Sequence, residues 1–264
     1  MSKIPQRLSG EVVLVTGGSQ GIGRAVALRC AAEGADVVLA ARSVENLSRV
    51  SLEVEAIGRR AVIVPADLRE PAAFEAAILR AADVLGPISL AVANSGVPGP
   101  TAPIWAVSLE EWNDTIGVNL TGAFVTCRAV LPGMMDRGRG SIVLVGSMAG
   151  KRTLKARSPY VASKAGLNGL VRTIASDVGE SGVRINLVSP GVVEGERLEA
   201  VLDADSHSRG ISLEQARSER SRLSLLGRNA DPEDVAAAVA FLLSDDARSI
   251  TGEDLNVSCG AMTH

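Results

Sequence analysis

The chain is short of aromatic side chains. Phe, Trp and Tyr make up 2% of its 264 residues, and Tyr160 is the single tyrosine. A core must therefore be built from Ala, Val, Leu and Ile, which suits helices packed closely on a sheet buried on both faces. Histidine is nearly missing, with only His207 and His264, and the cysteines Cys30, Cys127 and Cys259 are scattered. This excludes a His/Cys zinc cluster and argues against a disulfide framework, so buried thiols in a reducing, cytoplasmic setting are expected. No apolar run approaches the roughly 18 residues of a membrane span. The opening "MSKIPQRLSGEVVLVTGG" lacks the apolar segment of a secretory signal. Charge of one sign is not in excess either: 27 basic and 30 acidic residues leave a net −3. That gives no electrostatic case for nucleic acid, and no polybasic run addresses an anionic membrane.

What is present is alternation. Short β-branched runs at 12–16, 36–41, 61–66, 88–94, 141–147, 183–189 and 253–258 read as strands, separated by longer Ala-rich helical segments. Gly34 sits where a C′ glycine ends the first helix. Pro71 and Gly86 bracket another. Ser108 and Glu111 form a capping-box pattern that opens one long helix over 108–135. Asp231 and Pro232 occupy the N-cap and N1 positions of the last helix. Such alternation predicts right-handed crossovers and a parallel sheet covered on both faces. Without a linker or composition break, the reading is a single α/β domain over residues 1–264, a Rossmann-like doubly wound sheet of about seven strands. Residues 195–228 are polar, Arg-rich and less regular. An insertion after a strand's C-terminal end is expected to act as a substrate lid; the alternative is a surface helical excursion.

"TGGSQGIG" (16–23) follows the first strand and opens the first helix. Here a glycine-rich backbone can approach a pyrophosphate at the helix N-terminus. Gly17, Gly21 and Gly23 depart from the G-x-G-x-x-G spacing, but their place at the first βα junction points to a nucleotide. Ser19, Gln20 and Ile22 complete the turn. The second strand ends in Ala41, Arg42 and Ser43, where a carboxylate would otherwise receive a ribose 2′-hydroxyl. The planar fork of Arg42 and the hydroxyl of Ser43 suit a 2′-phosphate. NADP(H) is therefore expected ahead of NAD(H); the alternative for Arg42 is an exposed charge at a helix start.

Tyr160 and Lys164 are i and i+4 on an expected helix, with Cβ atoms about 5–6 Å apart. A phenol needs about 3–4 kcal/mol of help to exchange a proton near neutrality. One cation at about 4 Å supplies about 4 kcal/mol at an effective dielectric of about 20. The pair is thus a candidate general acid/base, although the same spacing also arises when an aromatic ring packs on a lysine stem. Ser147 sharpens the reading. It closes the expected strand "SIVLVGS", at the sheet edge where ligands bind, and could orient a carbonyl oxygen toward the phenol.

The order and spacing of "TGGSQGIG", "ADL" (66–68), "NSG" (94–96), "VNLTG" (118–122), "GSMAG" (146–150), "YVASK" (160–164), "SPG" (189–191) and "ITGEDLNV" (250–257) resemble the short-chain dehydrogenase/reductase family over about residues 8–260. The set is similar to its 3-oxoacyl-(acyl-carrier-protein) reductase-like members. The resemblance implies a catalytic tetrad of Asn119, Ser147, Tyr160 and Lys164, with Tyr160 as proton donor and acceptor. Lys164 would tune it and hold the nicotinamide ribose, Ser147 would polarise the carbonyl, and Asn119 would hold a water. It also implies that Asp67 and Leu68 flank the adenine. Asn94, Ser95 and Gly96 would line the cleft, and Pro190, Gly191 and Val193 the nicotinamide end. A homo-oligomer, tetramer or dimer, is implied as well. "NSG" replaces the commoner Asn-Ala-Gly, Gly195 stands where many members carry a carboxamide-contacting Thr, and "SCG" (258–260) replaces Asp-Gly-Gly.

The expected reaction is carbonyl–alcohol interconversion on a small molecule. The substrate is read as a 3-oxoacyl group, with a sugar, polyol or other alcohol as the alternative. A non-catalytic dinucleotide-binding regulator is the rival from another class; it would have no need of Ser147, Tyr160 and Lys164. Lys151, Arg152, Lys155 and Arg157 between Ser147 and Tyr160, with Arg197, Arg209, Arg217, Arg220 and Arg222 in 195–228, could hold an anionic substrate or be solvated charges.

Overall fold

The computed structural model describes residues 5–263; His264 and the side chain of Arg197 lie outside the described residues. Its strands are β1 (Val12–Thr16), β2 (Asp36–Ala41), β3 (Ala61–Pro65), β4 (Leu90–Ala93), β5 (Gly140–Val145), β6 (Val183–Pro190) and β7 (Asp254–Val257). They form a seven-stranded sheet in the order β3-β2-β1-β4-β5-β6-β7. Every pairing in it is parallel. The strand order reverses between β1 and β4, which opens a crevice between the loops that leave their C-terminal ends.

Burial on both faces explains the near-continuous apolar strands. In β1, Val13 and Val15 point into one core and Val12 and Leu14 into the other. The first core is closed by α1 (Gly21–Ala32), α2 (Val44–Ala56) and α9 (Pro232–Leu243). The second is closed by α3 (Pro71–Leu85), α5 (Gly122–Asp136) and α6 (Ser158–Val178). Aliphatic side chains dominate both, with Phe74 the one aromatic residue among the buried hydrophobics. Gly34 ends α1 at a φ of 103°, a conformation that favours glycine.

Three expectations change. The helix expected over 108–135 is interrupted: α4 (Leu109–Ile116) passes through a π-helical turn at Gly117–Thr121 before α5 begins. The capping box at its start is present, with Ser108 and Glu111 each accepting from the other's backbone N–H. Second, β5 ends at Val145, so Ser147 lies beyond the strand and caps the 3-10 turn Met148–Gly150. Third, 195–228 is more regular than its composition suggests. It forms α7 (Glu196–Arg209) and α8 (Leu213–Ser221) over a small core of Leu198, Leu202 and Ala216. Ion pairs hold these helices where an apolar stripe is lacking: Arg209 meets Asp205 and Glu219, and Arg217 meets Glu194 and Glu199.

Candidate active site

The β1–α1 turn is shaped as a cradle. Gly17 and Gly21 have φ of 65° and 52°. A Cβ on Gly23 would lie 2.0 Å from the Gly17 carbonyl oxygen, so only glycine lets α1 pack against the turn. Gln20 is the N-cap of α1 in extended conformation and makes no side-chain cap bond, and the first turn of the helix holds no acid. The helix thus begins with N–H groups and no carboxylate of its own in front of them, which fits an incoming pyrophosphate. Ser19 is buried in the turn and Ile22 packs on the core. Asn94, at the end of β4, fixes the other wall: its Nδ2 donates to the carbonyls of Thr16 and Gly17, each at 3.1 Å.

From Asn94 the chain runs through Ser95 to Gly96. A Cβ on Gly96 would lie 3.3 Å from Asn119 Oδ1 and 3.6 Å from Lys164 Nζ, so three separate segments meet here. Asn119 sits in the π turn and is buried. Its Oδ1 accepts from Val97 N–H at 2.7 Å, and its Nδ2 donates to Val97 C=O and Ser163 Oγ, both at 3.0 Å. Ser163 in turn donates to Tyr160 C=O at 2.8 Å. Asn119 therefore staples the β4 loop to α6, and the widened turn is where such a staple fits.

Lys164 is 5% exposed and donates to Val145 C=O at 2.8 Å, which fixes it to the end of β5. Tyr160 lies one helical turn earlier on the same face, half-buried, with the Arg157 guanidinium 5.3 Å from its ring centroid. Ser147 Oγ accepts from Ala149 N–H at 3.1 Å, which orients its hydroxyl at the start of the turn after β5. That turn rests on α6: a Cβ on Gly150 would lie 2.8 Å from the Lys164 carbonyl. Pro190 ends β6, and Gly191 passes so close to β7 that a Cβ would lie 2.8 Å from Ser258 Cα. Val193 forms a parallel bridge with Ala230.

Other expected positions are placed differently. Leu68 is 8% exposed and packs against Gly122, so its side chain belongs to the core. The Arg69 fork grips the Asp67 carboxylate and holds its pKa below the usual range, with Arg42 adding a smaller pull. Arg42 is exposed at the end of β2, and Ser43 caps α2 by accepting from Asn46 N–H. Lys151 is drawn away from the site by Asp254 (2.8 Å) and Asn256 (2.6 Å) on β7. Cys30 and Cys127 are buried, which pushes both thiols up to about 12 and leaves them inert. Ser163 was not foreseen; its spacing of three from Tyr160, on the edge of the Tyr/Lys face, is the signal that marks it. Among the described residues no His/Cys/Asp/Glu group could hold a metal, and no helix is long and apolar enough to cross a membrane.

Comparison with known proteins agrees with this geometry. A family model described as enoyl-(acyl carrier protein) reductase matches residues 17–262. Cyclohexanol dehydrogenase of Acinetobacter sp. strain SE19 is 34% identical over 264 residues, covering 100% of this chain and 99% of that one. The 3-oxoacyl-(acyl-carrier-protein) reductase FabG of Escherichia coli K12 is 34% identical over 251 residues, covering 95% and 97%. The solved carveol dehydrogenase of Mycobacterium avium, in complex with NAD, superposes with a TM-score of 0.89 at 29% identity, covering 97% and 98%. The chain belongs to the short-chain dehydrogenase/reductase family and is a nicotinamide-dinucleotide-dependent oxidoreductase acting on alcohols and carbonyls.

Proposed function

We propose that the protein interconverts a ketone and a secondary alcohol with Tyr160 as the group that moves the proton. When bound, a nicotinamide dinucleotide supplies or takes up the hydride. Tyr160 gives its hydroxyl proton to the carbonyl oxygen in reduction and recovers it in oxidation. The buried Lys164 ammonium stabilises the negative charge left on the phenol oxygen and holds the ribose hydroxyls. Ser147 donates to the carbonyl oxygen and fixes its direction. The side chain of Asn119 is engaged by Val97 and Ser163, which holds the β4 loop against α6 beside Lys164. The observation that carries the reading is the meeting of Asn119 and Lys164 over Gly96, at the crevice where the strand order reverses.

Gly17, Gly21 and Gly23 hold the pyrophosphate. Asn94, Ser95 and Gly96 line the cleft, and Pro190, Gly191 and Val193 meet the nicotinamide end. Arg42 and Ser43 take a ribose 2′-phosphate, which makes NADP(H) the preferred cofactor over NAD(H). The α7–α8 excursion acts as the lid. A small hollow between Met148, next to Ser147, and Leu223, after α8, supports that placement. Exposed Leu79 on α3 and Phe124 on α5 support assembly as a homo-oligomer. Relatives of equal identity are named for 3-oxoacyl carrier groups and for cyclohexanol, so both substrate types stand as readings of the same chemistry.

A panel of ketones with NADPH and NADH, followed at the reduced-nicotinamide absorbance, tests the proposal. Arg42→Ala should weaken NADPH binding far more than NADH binding; equal loss of both refutes the cofactor assignment. Cofactor binding with no turnover across the panel would favour a non-catalytic regulator.

A further inference from the structure

Two segments lead into the site, and both carry apolar side chains that the fold leaves uncovered. One runs from Gly96, beside Lys164, to the 3-10 turn Ile104–Ala106. The other joins Ser147 to Tyr160. They are stitched into one lip by two hydrogen bonds, from Ala102 N–H to Ala156 C=O (3.0 Å) and from the Arg157 guanidinium to Pro98 C=O (2.6 Å). On this lip Trp105 is 86% exposed, Ile104 64% and Leu154 40%. Trp105 is one of two tryptophans in a chain that is 2% aromatic, and large apolar side chains left exposed on segments that lead into a cleft are candidates for contact with a ligand. The ring also offers a large, stiff contact area.

Four of the nine charges expected to capture an anion are occupied elsewhere. Arg217 is paired with Glu194 and Glu199, Arg209 with Asp205 and Glu219, and Lys151 with Asp254. Arg157 lies over the Tyr160 ring while bonding the lip backbone. Arg152 and Lys155 remain exposed on the same segment, and Arg220 lines the hollow beside Met148 with the exposed Arg222 near it, so an anionic substrate is the competing class.

We infer that the substrate is an uncharged ketone or secondary alcohol with an apolar body, alicyclic or alkyl, seated against Trp105, Ile104 and Leu154. Its oxygen faces Ser147 and Tyr160. This rests on the proposed carbonyl chemistry and narrows it to one substrate class.

The experiment uses the full chain saturated with reduced cofactor. Butanone, cyclohexanone, 4-methylcyclohexanone and 4-ethylcyclohexanone form the apolar arm. 4-Oxocyclohexanecarboxylate and a 3-oxobutanoyl thioester form the anionic and acyl arms. KM should fall about four-fold for each methylene that becomes buried. The ring carboxylate should raise KM about ten-fold or more, because its charge must be desolvated without a partner. Trp105→Ser should raise KM for 4-methylcyclohexanone about ten-fold and leave kcat within about two-fold, with most of the loss recovered in Trp105→Phe. Cofactor affinity equal to the parent's shows that the variants are folded. Trp105 fluorescence, read in a Trp112→Phe background, reports binding without turnover. A lower KM for the carboxylate or the thioester, or a KM unmoved by Trp105→Ser, overturns the inference while leaving the catalytic reading intact. A smaller oligomer in Trp105→Ser at unchanged KM likewise overturns it and makes the lip a contact between copies. A saturable quench by the apolar ketones with no turnover of any compound supports the apolar lip and overturns the catalytic reading.

Discussion

Replacing Gly23 with alanine probes the cradle at its tightest point. The new Cβ would lie 2.0 Å from Gly17 O and 2.5 Å from Asn94 Nδ2. A carbon–oxygen contact needs about 3.3 Å, so α1 and the turn must part by about 1 Å. Overpacking of this kind costs about 1–3 kcal/mol. The two Asn94 bonds to Thr16 and Gly17 are lost with it, at about 1 kcal/mol each. The sum is about 3–5 kcal/mol, and at about 2 °C per kcal/mol for a chain of this size Tm should fall by about 6–10 °C. Gly21→Ala is the comparison. Nothing lies within 4 Å of its Cβ, and only the φ of 52° opposes it. Left-handed alanine costs about 1–2 kcal/mol, hence about 2–4 °C. Thermal unfolding by circular dichroism measures both, and nucleotide fluorescence measures cofactor affinity. A displacement of about 1 Å should weaken cofactor binding by Gly23→Ala about 100-fold. The reasoning is refuted if Gly21→Ala proves the more damaging, or if Gly23→Ala unfolds like the parent and binds cofactor undiminished.

Two further outcomes follow from the surrounding frame. Glu33 has a side chain 0% exposed between Arg7 and Arg29, each at 2.6 Å. Burial pushes its pKa up, but the two guanidinium groups outweigh that and hold it below the usual value. Its stabilisation is therefore present above about pH 4.3 and lost as pH falls through the lower folded value. Glu33→Gln should cost about 2–3 kcal/mol at pH 7, less than a fully buried pair because both arginines are partly solvated, or about 4–6 °C. The gap to the parent should narrow below about pH 4.3; a constant gap across the titration contradicts the ion-pair account. Ala156 has a φ of 60° on the lip beside Tyr160. Ala156→Gly should release about 1–2 kcal/mol of strain and lose about 0.5–1 kcal/mol to backbone entropy, so Tm should stay level or rise by up to about 3 °C; a lower Tm would mean that the methyl group packs.

Legibility followed the range of the forces involved. β1 and β2 were readable to the residue, because β-branched runs bounded by glycine and a helix start leave little choice. Ser147 was placed on the strand because "GS" extends an apolar run, yet the chain leaves the sheet at Gly146. The π turn was hidden because its cause lies far away: Asn119 is drawn in by Val97 and by Ser163 on α6. A local pattern sees only an uninterrupted helical period. Residues 196–221 fold as helices through pairs such as Arg217 with Glu194, which composition registers only as charge. The same pairs withdraw arginines that a linear reading offers to an anionic substrate. The Tyr160/Lys164 pair was legible because i, i+4 spacing is local; its support from Asn119 through Ser163 was not.

The central claim is that Tyr160 moves the proton while the glycine cradle binds the cofactor independently. Single-turnover reduction of a ketone by Tyr160→Phe, beside a cofactor titration of the same variant, tests it most directly. The loss of general acid catalysis predicts a rate about 100–10,000-fold below the parent with cofactor affinity little changed. A rate within about three-fold of the parent contradicts the claim, since removal of a participating general acid is felt in the chemical step.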